Sequence, residues 1–282
     1  MENIIVSNPE KIKIIKNEII DGGKENLHII SDFDRTLTQA YSDGKYRASL
    51  ISVLYEEGYL SKKYQKTAQG FFAYYHPIEV DNNISIEDKK RAMEEWRTKH
   101  KILLIKEGIS KQDIYKAMKS QNINLRKGSK KFFELLNKNN IPLVILSAGG
   151  LGTLSIEKYL KNQNSMYDNI CLIGNEFVRD RDKAVDFKKP IIHSLNKDET
   201  VIKEFPKIYE KVKDKKNVIL LGDSISDIQM VEGFEYNNLL KIGFLNKDVE
   251  KNIEKYKSNY DVVIINDGSM EFVNDLLDEI LK

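Results

Sequence analysis

The sequence predicts an α/β fold in which a doubly wound parallel sheet carries an inserted helical domain. Six short apolar runs end in polar or glycine residues, as buried parallel strands do: 27–33, 142–146, 170–173, 218–221, 239–244 and 262–265. Amphipathic stretches of helical period separate most of these runs. Alternation of this kind indicates a sheet with helices packed on both faces.

The first element is a helix that precedes the first strand. Asn8 and Pro9 provide a cap and a first-turn proline, apolar residues follow at helical spacing, and Gly22 with Gly23 ends the pattern. We expect this helix to pack against the sheet.

The connection between the first and second strands is the exception to the alternation. It is about 90 residues long, whereas a crossover between parallel strands needs about a dozen or more. It contains two helical stretches rich in Lys and Glu, 85–106 and 110–120. We therefore predict a helical cap domain at 43–121, inserted into an α/β core formed by 1–42 and 122–282.

Composition excludes several classes of protein. Lys and Arg number 45 and Asp and Glu 43, so the net charge of +2 gives no field that would hold a nucleic acid or an anionic membrane. The single cysteine, Cys171, excludes an internal disulfide framework, and the N-terminal residues lack the apolar core of a signal peptide. We expect a cytoplasmic protein with no nucleic-acid polymer and no membrane as partner.

Four aspartates follow two of the predicted strands. Asp32 and Asp34 end the first strand on one face, and Asp223 and Asp227 lie at a later strand-to-helix junction. The carboxyl ends of parallel strands line the ligand crevice, where four carboxylates would repel one another without a cation. Oxygen ligands with few histidines favour Mg²⁺. The alternative is that each pair of aspartates serves only to form a turn or to cap a helix.

Three other features allow both a structural and a functional interpretation. Ser147 and Ala148 end the second strand before a helix, where they either cap that helix or bind an anion. Lys188 taken alone is typical of a solvated loop. The aromatic run 71–76 is typical of a helical core, but before Pro77 and Glu79 it would also suit stacking of a base, with Glu79 accepting its amino hydrogens.

The order of these motifs resembles the haloacid dehalogenase-like phosphohydrolases, with a Thr36 that completes Asp-x-Asp-x-Thr. From about Asn8 to the C-terminus the chain is more closely similar to the pyrimidine 5′-nucleotidases of the cytosolic 5′-nucleotidase III type. The segments that carry the resemblance are 29–34, 74–75, 78–81, 95–99, 146–149, 220–224 and 241–246.

The resemblance implies a role for each matching residue. Asp32 would be the nucleophile that becomes an aspartyl phosphate, and Asp34 the general acid and base. Magnesium would be held by Asp32, the Asp34 carbonyl and Asp223, with support from Asp227. The phosphate would be bound by Ser147, Ala148 and Lys188, and the base by Glu79. Three features depart from the family's pattern: Arg35 replaces an uncharged residue, the turn at 149–153 is a residue longer and lacks an acidic residue, and His100, a further candidate for substrate binding, replaces a small polar one.

The function that follows is a magnesium-dependent 5′-nucleotidase acting on pyrimidine nucleoside 5′-monophosphates. Two alternatives remain. One is a phosphatase of the same core for another small phosphomonoester, such as phosphoserine. The other is a nucleotide-binding protein without turnover.

Overall fold

A seven-stranded sheet forms the centre of the protein. The computed structural model describes residues 3–47, 49–81 and 83–282. The strands of the described residues, in the main sheet and in two separate hairpins (β3–β4 and β7–β8), are β1 (Ile4–Val6), β2 (Leu27–Ser31), β3 (Tyr41–Ser42), β4 (Lys45–Tyr46), β5 (Leu143–Ser147), β6 (Ile170–Gly174), β7 (Phe177–Asp180), β8 (Lys183–Phe187), β9 (Asn217–Gly222), β10 (Asn238–Leu245) and β11 (Val262–Ile265). The sheet order is β1-β11-β10-β9-β2-β5-β6. All pairs in it are parallel except β1 with β11.

Helices cover both faces of this sheet. They are α1 (Pro9–Asp21), α2 (Leu50–Glu56), α3 (Lys62–Val80), α4 (Ile86–Lys106), α5 (Lys111–Ala117), α6 (Ser129–Lys138), α7 (Thr153–Asn162), α8 (Glu199–Lys203), α9 (Pro206–Val212), α10 (Val249–Asn259) and α11 (Glu271–Ile280). Successive strand residues enter different apolar clusters: Ile29 packs in one and Ile30 in the other. Because side chains alternate across a strand, these clusters lie on opposite faces. The predicted fold class is confirmed.

Helices α2 to α5 lie between β2 and β5, within the segment for which the sequence predicts a cap. The division at residues 43 and 121 stays a prediction. A hairpin of β7 and β8 reaches these helices, because the Ala184 N–H donates to the Ile109 carbonyl over 3.0 Å and the Lys111 N–H to the Asp182 carbonyl over 2.8 Å. None of the described helices has both the length and the apolar composition that a membrane span requires.

A buried histidine in β2 makes the stability of the fold depend on pH. His28 is 1% exposed, and burial lowers its pKa from 6.5 to about 4. Between these values the unfolded chain binds a proton that the folded chain does not, so stability falls as the pH falls through this window. We expect His28→Leu to remove this contribution, which is about 2 kcal/mol between about pH 7 and about pH 5.

Urea unfolding of both proteins at the two pH values measures this contribution. The wild type should lose more stability on acidification than His28→Leu does. An equal loss in both proteins would show that His28 titrates normally in the folded chain.

Candidate active site

Three carboxylates converge where β2 and β9 end. Asp32 directly follows β2, and its N–H donates to the Leu221 carbonyl of β9 over 3.0 Å, which extends the strand pairing to this point. Asp223 directly follows β9. One carboxylate oxygen each of Asp32, Asp223 and Asp227 lies within 4.8 Å of the others. Burial, and then the neighbouring Asp227 and Asp223, raise the pKa of Asp32 well above its usual value, while Lys197 opposes the rise.

Asp227 is both a helix cap and a member of this cluster. Its Oδ2 accepts hydrogen bonds from the N–H groups of Asp223 (3.2 Å) and Ser224 (3.0 Å), and with Ser224 it forms a capping box at a 3₁₀ helix over Ile225–Val231. Its Oδ1 accepts a hydrogen bond from Lys197 Nζ over 2.9 Å. The cap and the place of Asp227 in the cluster are therefore compatible, because the oxygen that caps the helix is not the oxygen that contacts Lys197.

Lys197 supplies the buried positive charge of the cluster. Its Nζ donates to Asp32 Oδ1 over 2.5 Å and to Asp227 Oδ1 over 2.9 Å, and its side chain is 5% exposed. Buried charges are tolerated when they are paired in this way. Lys197 is not among the residues predicted from the sequence.

Lys188, which the sequence analysis assigns to this position, lies elsewhere. It directly follows the β7–β8 hairpin, its N–H donates to the Glu176 carbonyl over 2.9 Å, and its exposed Nζ pairs with Glu176 Oε2 over 2.6 Å. Lys188 is therefore held at the exposed base of the β7–β8 hairpin. The lysine that contacts Asp32 comes nine residues later in the chain, at Lys197.

Asp34 connects the cluster to the loop after β5. Its Oδ1 accepts a hydrogen bond from the Leu50 N–H at the start of α2 (2.9 Å), and burial raises its pKa from 3.8 to about 6, against the attraction of Arg35. A Cβ atom built on Gly149 would lie 3.5 Å from Asp34 Oδ2 and 3.1 Å from Ser147 Oγ. The loop of Ser147, Ala148 and Gly149 therefore passes directly beside Asp34.

Arg35 contributes a second cation. Its Nε donates to Asp223 Oδ2 over 2.8 Å, and its Nη1 donates to the hydroxyl of Tyr46 over 3.2 Å. The guanidinium attracts the Asp223 carboxylate, which opposes the rise in the pKa of Asp223 that burial causes. Asp223 is thus already ion-paired.

Glu79 lies at the end of α3, against the loop that carries Lys197. It accepts a hydrogen bond from Ser194 Oγ and contacts His76 Nδ1 at 3.3 Å, and its side chain is 22% exposed. Leu195 of the same loop packs with Tyr75, Met93 and Trp96 of the inserted helices. The loop that positions Lys197 is therefore held on the predicted cap.

The aromatic run of α3 forms core and surface. Tyr75 is 2% exposed and stacks on Trp96, with ring centroids 5.8 Å apart, whereas Tyr74 is 66% exposed. Pro77 also does not end the helix, which continues to Val80. Tyr75 therefore fits the interpretation as helical core and Tyr74 lies at the surface, while Glu79 contacts Ser194 of the loop that carries Lys197.

His100 and Arg97 lie on the neighbouring helix α4. His100 Nε2 contacts the Tyr64 hydroxyl at 2.5 Å, and burial, reinforced by Arg97, lowers the pKa of His100 to about 3. A Cβ atom on Gly150 would lie 3.3 Å from the His100 ring, so this neutral imidazole borders the loop after β5. The Arg97 guanidinium, which the sequence analysis did not select, lies 4.7 Å from the centroid of Trp96.

Comparisons with known proteins identify the family of this chain. A sequence model of the pyrimidine 5′-nucleotidase (UMPH-1) family matches residues 35–281. The human 7-methylguanosine phosphate-specific 5′-nucleotidase is 35% identical over 280 residues, which are 99% of this chain and 92% of that protein. The protein of the same name from Drosophila melanogaster is 33% identical, over 97% of this chain and 86% of its own length.

Solved structures extend the comparison to the fold. A crystal structure of cytosolic 5′-nucleotidase IIIB bound to cytidine superposes with a TM-score of 0.86 at 30% identity, covering 100% of this chain and 94% of that chain. A substrate-bound phosphoserine phosphatase superposes with a TM-score of 0.54 at 18% identity, covering 88% and 96% of the two chains, which shows a shared fold alone.

The sheet, with its aspartate cluster at the ends of β2 and β9, defines a phosphohydrolase of the haloacid dehalogenase type. The resemblance found in the sequence is confirmed. The chain belongs to the pyrimidine 5′-nucleotidase family of phosphomonoester hydrolases.

Proposed function

We propose that this protein hydrolyses nucleoside 5′-monophosphates, those of pyrimidines among them, to nucleoside and inorganic phosphate through an aspartyl-phosphate intermediate. The observation that carries the proposal is the position of Asp32, buried at the end of β2 in contact with Lys197, with Asp34 against the loop after β5. The names of the relatives support the nucleotide as substrate.

The reaction takes place in two displacements. A carboxylate oxygen of Asp32 attacks the phosphorus atom, the bond from phosphorus to the 5′ oxygen breaks, and Asp34 donates its proton to the departing oxygen. A water molecule then attacks the phosphorus of the aspartyl phosphate, and Asp34 accepts the proton of that water. The bond between phosphorus and Asp32 breaks, which releases phosphate and restores both carboxyl groups.

The phosphate oxygens need donors that are in place before the reaction begins. Ser147 is 4% exposed at the end of β5, and its hydroxyl accepts a hydrogen bond from the Gly149 N–H over 3.1 Å, which fixes the loop. We assign the phosphate to Ser147, the Ala148 backbone and Lys197, with Lys197 in place of Lys188. Donors fixed in this way stabilise the charge that develops in phosphoryl transfer.

A magnesium ion fits the same carboxylates. The oxygens of Asp32, Asp223 and Asp227 lie within 4.8 Å of one another, and carboxylate oxygens are the ligands that Mg²⁺ prefers. Asp32, Asp223 and the Asp34 carbonyl would hold the ion, with Asp227 in support. When bound, it would neutralise charge on the transferring phosphoryl group.

The base would lie between the predicted cap and the core. Glu79 is an acceptor for amino hydrogens, and the neutral imidazole of His100 borders the loop after β5. The relatives' names include both 7-methylguanosine phosphate and cytidine as ligands of those proteins. We propose a cytoplasmic monomer, in keeping with the cytosolic enzyme that this chain resembles.

Phosphate release from a substrate panel tests the proposal. The purified protein, freed of metal with a chelator, is assayed with CMP, UMP, GMP, AMP, 7-methyl-GMP and phosphoserine, before and after Mg²⁺ is added. We expect turnover only with Mg²⁺, and kcat/KM for the best nucleotide at least about 100-fold above that for phosphoserine. Turnover of phosphoserine with no turnover of any nucleotide would contradict the proposal.

A further inference from the structure

Arg35 is a charged residue in the acidic cluster that the proposed reaction does not use. Its backbone has a left-handed conformation, with a φ of 62°. The Arg35 N–H donates to Thr38 Oγ1 over 2.9 Å, and its carbonyl accepts hydrogen bonds from Asn246 Nδ2 (3.0 Å) and Arg126 Nη2. These bonds fix the root of the side chain, so any change in its partners must come from rotation of the side chain itself.

The Arg35 guanidinium is paired with the Asp223 carboxylate, which would also be a ligand of the metal. Arg35 Nε lies 2.8 Å from Asp223 Oδ2, and the Asp223 side chain is 9% exposed. On its other side the guanidinium contacts Tyr46 of the β3–β4 hairpin: Nη1 donates to the hydroxyl over 3.2 Å, and the ring centroid is 5.7 Å from Cζ. Tyr46 is 40% exposed, so the space around the guanidinium opens to solvent on this side.

The charges of the cluster show how the ion pair of Arg35 with Asp223 affects the binding of a metal. The three carboxylates of Asp32, Asp223 and Asp227 face two cations, Lys197 and Arg35. Lys197 contacts Asp32 and Asp227, and Arg35 contacts Asp223. A divalent cation that binds Asp223 must therefore approach a positive charge already paired with that carboxylate, and like charges at such distances repel strongly in a buried site.

We propose that Arg35 competes with the metal for Asp223 and, once displaced, contacts the substrate phosphate. Arg35 thus lowers the affinity for Mg²⁺ and raises the affinity for the nucleotide. The side chain rotates while its backbone stays fixed. The guanidinium then leaves the Asp223 carboxylate for the phosphate, which carries more negative charge. Guanidinium groups bind carboxylates and phosphates with the same donors, which makes this exchange chemically direct. The second half of the proposal rests on the proposed function; the first half rests on the ion pair alone.

Calorimetric titration with Mg²⁺ alone, on metal-free protein without nucleotide, tests the first half. Arg35→Met and Arg35→Gln keep much of the side-chain length and remove the charge. We expect both variants to bind Mg²⁺ at least about 10-fold more tightly than the wild type. Lys45→Met, which removes an exposed charge from the neighbouring strand β4, should leave the affinity within about twofold. Unchanged or weaker Mg²⁺ binding in the Arg35 variants would overturn the competition.

Steady-state kinetics at saturating Mg²⁺ test the second half. Removal of Arg35 should raise KM for the best nucleotide about 10-fold and change kcat less. An unchanged KM would overturn the contact with phosphate. Absence of nucleotide turnover in the wild type would contradict the proposed function instead, and the Mg²⁺ titration would still decide whether Arg35 competes with the metal.

Discussion

Replacement of Asp32 with Asn should lower kcat for the best nucleotide by at least about 10³-fold. The amide has nearly the same shape as the carboxylate but does not attack phosphorus, so the covalent route is lost. The variant also removes one negative charge from a site in which Asp223 and Asp227 lie within 4.8 Å. Because less charge repels the phosphate, nucleotide binding should be equal to or tighter than that of the wild type.

Phosphate release and equilibrium binding of the nucleotide measure the two effects separately. Asp214→Asn, at an exposed aspartate in the connection that precedes β9, is the matched control and should behave as the wild type does. Loss of turnover together with loss of binding would indicate that Asp32→Asn has disrupted the site. Retained turnover would exclude Asp32 as the nucleophile.

Replacement of Lys197 with Met should lower kcat/KM by about 10²- to 10³-fold, the cost of removing one preorganised donor from a site where charge develops. Lys197 Nζ contacts Asp32 and Asp227, so the variant also leaves two buried carboxylates without this cation. Removing one partner of a buried charge pair costs about 3–5 kcal/mol, so the metal-free variant should also unfold at a lower temperature.

Lys188→Met is the matched control for this lysine. Lys188 is exposed and pairs with Glu176, so its loss should change kcat/KM by no more than about twofold. Steady-state kinetics on the two variants decide which lysine serves the site. A large loss in Lys188→Met with little effect in Lys197→Met would contradict the assignment made from the structure.

The main sheet could be predicted because each of its parallel strands is a short, mostly apolar run. β1 was missed because Ile4–Val6 is only three residues long and pairs antiparallel at the edge. The β7–β8 hairpin was missed because its residues are mostly charged and exposed: it is built by backbone pairing and by contact with the turn before α5, which leave no apolar pattern.

The residues of the site likewise divide into those that could be predicted from the sequence and those that could not. Asp32, Asp34 and Asp223 could be predicted because each is tied to the end of a buried strand. Lys197 could not be predicted, because the β7–β8 hairpin was not predicted. This hairpin lengthens the connection that follows β6 and leaves Lys188 at an exposed position. The pair of Arg35 and Asp223 joins residues 188 positions apart, and nothing in either local sequence indicates it.

The most direct test is to trap the intermediate. The protein is mixed with its best nucleotide and Mg²⁺, quenched in acid within a single turnover and analysed by peptide mass mapping. We predict one added phosphoryl group on the peptide that contains Asp32 in the wild type, and none in Asp32→Asn. Turnover of the nucleotide with no phosphoryl group on that peptide, or a phosphoryl group on another residue, would contradict covalent catalysis by Asp32.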